Sequence, residues 1–201
     1  KNYVAGTQGV ELASFNLYAT TTENVKIEKI YFTQRVTDTN SAAYQDYTLL
    51  YVTDSSGNVL GSVVPTSTKP LIQMNDNAVI VDRANSAGTK LILKANLNSI
   101  VQGGNVQIGG HRLGYNIAVV GDVVAKGSQS GADAVVYFGS TAPNGSTHYM
   151  YKAVPTVTIL PPQGCVNNVT DPCVANTVAK LVSGSNDLYR FTVKAGTGDI
   201  S

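Results

Sequence analysis

Two histidines, thirteen carboxylates and two cysteines are the side chains this chain offers for acid–base, covalent or metal chemistry. His111 follows Gly109-Gly110 and His148 closes Asn144-Gly145-Ser146-Thr147, so both read as turn or strand-start residues. No Gly-Xaa-Ser-Xaa-Gly elbow and no His-Glu-Xaa-Xaa-His helix accompanies them. The carboxylates Glu23, Asp54, Asp76, Asp122 and Asp171 fall in turns, where such a side chain accepts hydrogen bonds from nearby backbone. They are scattered rather than paired for glycoside hydrolysis. The chain therefore reads as a non-enzyme.

A hard cation is the remaining metal chemistry, because calcium takes carboxylate, amide and backbone oxygens. Three clusters offer them: Asp38-Thr39-Asn40 with Asp46, the run Asp54 to Asn58, and Asn75-Asp76-Asn77 with Asp82. None has EF-hand spacing, and ordinary turn chemistry accounts for each equally well. Cys165 and Cys173 flank Val-Asn-Asn-Val-Thr-Asp-Pro with no histidine nearby, so a local disulfide and an oxidising compartment are expected. Asn144-Gly145-Ser146 and Asn168-Val169-Thr170 are glycosylation triplets in expected loops. Eleven tyrosines and no tryptophan leave two candidate sugar-stacking faces: Tyr44, Tyr47 and Tyr51, and Tyr137, Tyr149 and Tyr151.

Composition narrows the partners. The 201 residues carry a net charge of +1 and only 13% are charged, with no basic or acidic block. Nucleic acid and anionic membrane are poor fits to that surface. A hydrophobic share of 43% supports a sizeable core, yet no run reaches the 18 or so apolar residues of a membrane span. The chain starts at Lys1 without an initiator methionine, so it is expected to be a mature form freed of an export signal.

The elements that must position these residues are strands. Leu91, Leu93, Ala95 and Leu97 alternate with Ile92, Lys94 and Asn96, giving one apolar face. Phe15, Leu17 and Ala19 alternate likewise, as do Tyr115, Ile117 and Val119. Val25 and Ile27 lose phase with Ile30 and Phe32, which a bulge near Lys29 would explain. Residues 46–53 and 59–64 flank Asp54-Ser55-Ser56-Gly57-Asn58 as a hairpin. Ten to twelve short strands are expected, with isolated helical turns near Ala95 to Ile100. This is an all-β chain, a β-sandwich of immunoglobulin-like or jelly-roll type with an extended C-terminal arm. The expected division is a sandwich over 1–160, a Pro-rich linker with the cysteine loop over 161–173, and an arm over 174–201.

The arm repeats the first strand. Leu188 answers Leu12, Phe191 answers Phe15, Val193 answers Leu17, Ala195 answers Ala19 and Thr197 answers Thr21. One reading is that the arm opens a following domain of a longer tandem protein. The other is that it donates a strand, through Leu188, Tyr189, Phe191, Val193 and Ala195, to an acceptor around Leu12, Phe15, Leu17 and Ala19 of a neighbouring copy.

The wording Asn16-Leu17-Tyr18-Ala19-Thr20, Val25-Lys26-Ile27-Glu28-Lys29-Ile30 and Ala87-Gly88-Thr89-Lys90-Leu91-Ile92-Leu93-Lys94-Ala95-Asn96-Leu97 resembles tandem β-sandwich repeats of large secreted surface proteins of candidate-phyla (Patescibacteria-like) bacteria. It covers roughly residues 9–120 and 187–201. The arrangement is also similar to donor-strand filament subunits, although here the suspected donor is C-terminal and follows a Pro-rich linker. The resemblance implies a surface-layer, adhesive or filament role and no catalytic residues. The expected function is a secreted structural subunit, pilus-like or surface-layer, joining its own copies head to tail. The alternative is a carbohydrate-binding or adhesive module.

Overall fold

The structure is a computed structural model that describes residues 1–19, 23–35, 41–76, 78–99, 110–139, 145–152, 155–160 and 190–194. The chain divides into two compact units, Lys1–Lys152 and Ala153–Ser201.

The first unit holds β1 (Asn2–Val4), β2 (Val10–Leu17), β3 (Val25–Tyr31), β4 (Thr33–Gln34), β5 (Tyr47–Thr53), β6 (Val59–Val63) and β7 (Leu71–Gln73). It continues with β8 (Ile80–Val81), β9 (Thr89–Leu97), β10 (His111–Leu113), β11 (Tyr115–Asn116), β12 (Val123–Gly127) and β13 (His148–Tyr151). The second unit contributes β14 (Thr156–Leu160) and β15 (Arg190–Lys194). The chain is all-β. Its helical content among the described residues is two single 3-10 turns, Tyr44–Asp46 and Val120–Asp122.

Two four-stranded antiparallel arrays form the sandwich. One runs β2-β9-β5-β6 and the other runs β12-β3-β7, with β8 pairing onto β3. The alternation along β9 has its expected meaning: Leu91, Leu93, Ala95 and Leu97 are buried while Ile92, Lys94 and Asn96 are partly exposed. Leu12, Leu50, Ile30 and Ile72 meet them in the core. Each such fully buried side chain contributes about 1.5–3 kcal/mol. The phase slip along β3 is a bulge: Val124 pairs with Lys29 but Ala125 pairs with Ile27, leaving Glu28 as the extra residue. It turns both Ile27 and Ile30 inward.

The turn at 54–58 joins β5 to β6 as expected. Asp54 accepts the Ser56 and Asn58 backbone N–H groups at 2.8 and 2.9 Å. Gly57 supplies the left-handed φ of 90° there. The helical turn expected near Ala95 to Ile100 is absent through Leu97. That stretch is strand, because Tyr47 pairs with Leu97 and the Leu97 N–H donates to Thr7 O at 2.8 Å.

One side of the sandwich is closed. The Asn75 N–H donates to Leu60 O at 2.7 Å, and the Gln73 carbonyl lies so close to Gly61 that a Cβ there would collide with it. A side chain at 61 would push β6 off β7. Elsewhere β1 pairs parallel to β13, β10 pairs antiparallel to β13, and β4 pairs with β11.

The first unit ends at Lys152, short of the expected boundary at 160. Thr156–Leu160, within the span expected for the sandwich, pairs antiparallel with Arg190–Lys194 of the arm. The linker 161–173 and the rest of the arm lie outside the described residues.

Candidate functional site

The histidines and buried carboxylates serve structure. Asp46 and Asp122 each close a 3-10 turn that starts a strand, and each accepts a backbone N–H from three residues back, from Ala43 at 2.7 Å and Val119 at 3.2 Å. Asp46 also meets the His111 Nδ1 at 2.8 Å, which ties the start of β5 to β10. Burial pushes the Asp46 carboxyl up from the ordinary range, against the hydrogen bonds from His111 and Ala43. Asp122 meets the Lys69 ammonium at 2.6 Å. His148 is buried with the Tyr3 ring edge-on at 5.3 Å. Burial pulls it below the ordinary histidine range, helped by the positive amino terminus and Lys1.

The described aspartates considered for calcium each have a protein partner. Asp54 holds its own turn, Asp76 pairs with Lys26 at 2.6 Å, and Asp82 accepts the Ala84 N–H at 2.9 Å. Asp38 lies outside the described residues. Among the described residues no three His, Cys, Asp or Glu side chains form a metal cluster. Cys165, Cys173, Asn144 and Asn168 also lie outside the described residues.

The expected tyrosine faces do not form platforms of open rings. Tyr47 is buried, its ring 5.2 Å from Tyr115 and its hydroxyl accepting the Gly114 N–H at 3.2 Å. Tyr44, Tyr51, Tyr149 and Tyr151 are half-buried, and Tyr137 stands apart on a different segment.

The feature with binding geometry lies on the side of the sandwich opposite β6 and β7, between β2 and β12. An apolar groove of about 500 Å³ opens there, a volume within the range of natural binding clefts. Val25, Ile27, Val123 and Ala125 form its floor, and Leu17 and Ala19 line its β2 side. Residues 134–139 make the far wall. Ala134, Val136 and Phe138 are half-buried and pack on the core, while Val135 and Tyr137 are exposed. Tyr18, 59% exposed, and Tyr137, 82% exposed, also border the groove. Sequence reading missed this wall. Its signal was the run Ala134-Val135-Val136-Tyr137-Phe138 directly after the Gly127–Gly131 turn.

Of the expected acceptor residues, Phe15 and Leu17 are half-buried against the core, and Leu17 and Ala19 line the groove. Leu12 is buried and its carbonyl already accepts the Ser146 N–H at 3.1 Å. Among the described residues, no backbone bond covers the outer side of β2 beyond it. Of the expected donor residues, Phe191 is 63% and Val193 47% exposed. Leu188, Tyr189 and Ala195 lie outside the described residues. β15 pairs with β14 so that Val193 faces Val157, itself 60% exposed, and Phe191 sits opposite Ile159 in register.

No helix among the described residues is long and apolar enough to cross a membrane. Compared with known proteins, the chain matches no family model, no curated protein and no solved structure.

Proposed function

We propose that this chain is a secreted structural subunit of an extracellular filament or surface layer, in which copies join head to tail by β-strand addition. The C-terminal strand is the donor and the neighbour's first strand, β2, borders the acceptor. The observation that carries this reading is a strand with exposed apolar side chains in a chain that repeats its own first strand. Phe191 and Val193 have the spacing of Phe15 and Leu17. In β2 that pair packs on the core, whereas in β15 it stands in solvent. A two-stranded ribbon is marginal by itself, and an exposed apolar edge favours pairing with another chain. Strand addition answers both needs. The resemblance to tandem surface repeats supports the same kind of object, a linear series of sandwiches.

The test compares the full chain with the same chain ending at Lys152, by electron microscopy and sedimentation. Linear polymers from the full chain alone are the expected result. Equal assembly by the shortened chain would refute a C-terminal donor. A second reading, glycan binding, draws on the exposed Tyr18 and Tyr137 rings. It predicts glycan retention by the monomer that a Tyr18→Ala, Tyr137→Ala double variant loses.

A further inference from the structure

We infer that the groove between β2 and residues 134–139 is the seat for the Arg190–Lys194 strand of a second copy of this chain. The inference rests on the strand-addition reading and adds where the strand goes, which side chains enter and which wall it meets.

The seat has an open backbone edge on one side. β2 is the terminal strand of its array, and its first half is covered where Ser146 reaches Leu12. Beyond Ser14, among the described residues, no backbone bond covers the side of β2 away from β9. That stretch, from Phe15 to Ala19, matches the five residues of β15 in length. Among the described residues β15 pairs with β14 alone, on one of its two edges. Pairing it to β2 would continue the array as β6-β5-β9-β2 followed by β15-β14 of the next copy.

The opposite wall has the side-chain alternation of a strand without the ladder. Gly127 N–H donates to Ala132 O at 2.8 Å and Ala134 N–H to Ala125 O at 2.9 Å. After Ala134, through Gly139, no backbone bond among the described residues holds the segment. Val136 and Phe138 keep it in place by packing alone. An incoming strand can press this wall outward without breaking a backbone ladder.

The occupant is set by pattern and charge. The groove's β2 side is built from the alternation Phe15, Leu17, Ala19, and the arm repeats it as Phe191, Val193, Ala195. The same inward spacing laid alongside points Phe191 and Val193 over the floor of Val25, Ile27, Val123 and Ala125. The strand's charged residues, Arg190 and Lys194, are both basic, and just before the wall stands Asp133, an exposed carboxylate 4.0 Å from the Lys126 ammonium. A second copy supplies this strand in the same molar amount as the groove.

Two glycines give a matched test. A Cβ at Gly139 or at Gly121 meets nothing within 4 Å, and neither residue has a left-handed φ. Gly139 lines the groove, whereas Gly121 belongs to the 3-10 turn before β12 and does not. Full-length Gly139→Trp, Gly121→Trp and Phe191→Asp are compared with the unaltered chain by sedimentation velocity, with thermal melts to confirm folding. Ala19→Phe, filling the groove from the β2 side, is a second variant should Gly139→Trp melt early. The expected result is at least tenfold weaker association for Gly139→Trp and Phe191→Asp, and unaltered association for Gly121→Trp. Normal polymers from both groove-filled variants, with Phe191→Asp monomeric, would overturn the seat and leave strand addition standing. Normal polymers from Phe191→Asp, or none from the unaltered chain, would remove strand addition and the seat together. A small apolar molecule carried by the unaltered chain and lost from Gly139→Trp with assembly intact, read by native mass spectrometry, would assign the groove to a ligand instead.

Discussion

Replacing Phe191 by alanine should weaken each joint between copies while leaving the sandwich untouched. Phe191 is 63% exposed, so most of its apolar surface remains to be buried in a partner. Full burial of a phenylalanine side chain is worth about 1.5–3 kcal/mol, and the exposed share of that is about 1–2 kcal/mol. At about 1.4 kcal/mol per tenfold, the joint should weaken roughly 5–30-fold. The concentration at which half the protein is polymeric should rise by the same factor. Within the monomer an exposed substitution moves stability by less than about 0.5 kcal/mol, so the melting temperature should stay put. Phe191→Asp should act more strongly, because an unpaired carboxylate would be carried into an apolar seat. The assay is a dilution series by sedimentation or light scattering, with melting curves on the same samples. An alanine variant that shifts the polymer midpoint by less than twofold would refute the claim that this ring is buried at the joint.

Three further outcomes concern the sandwich. Asp46→Ala should cost roughly 1–3 kcal/mol in chemical denaturation, because it takes the hydrogen-bond partner from the buried His111 ring and from the Ala43 N–H; a loss below about 0.5 kcal/mol would show that water replaces the carboxylate. Tyr115→Phe should be neutral or stabilising by up to roughly 1 kcal/mol, since the buried Tyr115 hydroxyl has no hydrogen-bond partner among the described residues, and a clear loss would reveal one. His148 is held below its ordinary range, so the neutral form is favoured in the fold. Its contribution is complete above about pH 6.5 and falls as pH drops from there through the lowered value. His148→Gln should flatten the fall in melting temperature on that acid side, and an unchanged slope would place the titration elsewhere.

The parts of this fold that show in the sequence are those set by neighbours along the chain. β9 is legible because every second residue faces one core, and the slip at β3 because Ile30 resumes the inward phase one position late. Asp54 to Asn58 is legible because its hydrogen bonds close within five positions. Long-range chemistry has no such trace. Asp46 and His111 stand 65 positions apart, and neither residue's surroundings in the sequence hint at the other. The Gly61 approach to Gln73 is equally silent, since a glycine in a strand does not announce what comes close to it. A proline pair such as Pro161-Pro162 marks where a ladder stops, not which strand the preceding residues join. Thr156–Leu160 has the apolar alternation of a sandwich strand and finds its partner in the arm. The groove's far wall escaped notice because Val135 and Tyr137 make the 134–138 run look apolar on both faces, which hides its period.

The sandwich has unequal edges, and this bears on what kind of assembly strand addition can build. At β6 an incoming strand would meet β7, which crowds Gly61, and the turn after it, where Asn75 donates to Leu60. At β12 the returning residues 132–134 occupy the second half of the edge, from Ala125 to Gly127, so that among the described residues only Val123 and Val124 are left uncovered. At β2 the first half is covered by Ser146, and the second half faces a groove with an apolar floor. Among the described residues, that half-strand is the edge at which an added strand gains both backbone pairing and apolar burial. The donor lies in a different unit of the chain from the acceptor, so the joint uses two different surfaces. Such a contact repeats without consuming either surface's counterpart on the same copy, and unless its rotation happens to close a ring it produces a linear series. A symmetric dimer would instead require β2 to pair with β2, placing two copies of the groove floor face to face and leaving both C-terminal ribbons with Phe191 and Val193 in water. Strand donation covers those residues in every interior copy, leaving one ribbon exposed per filament, at a single end.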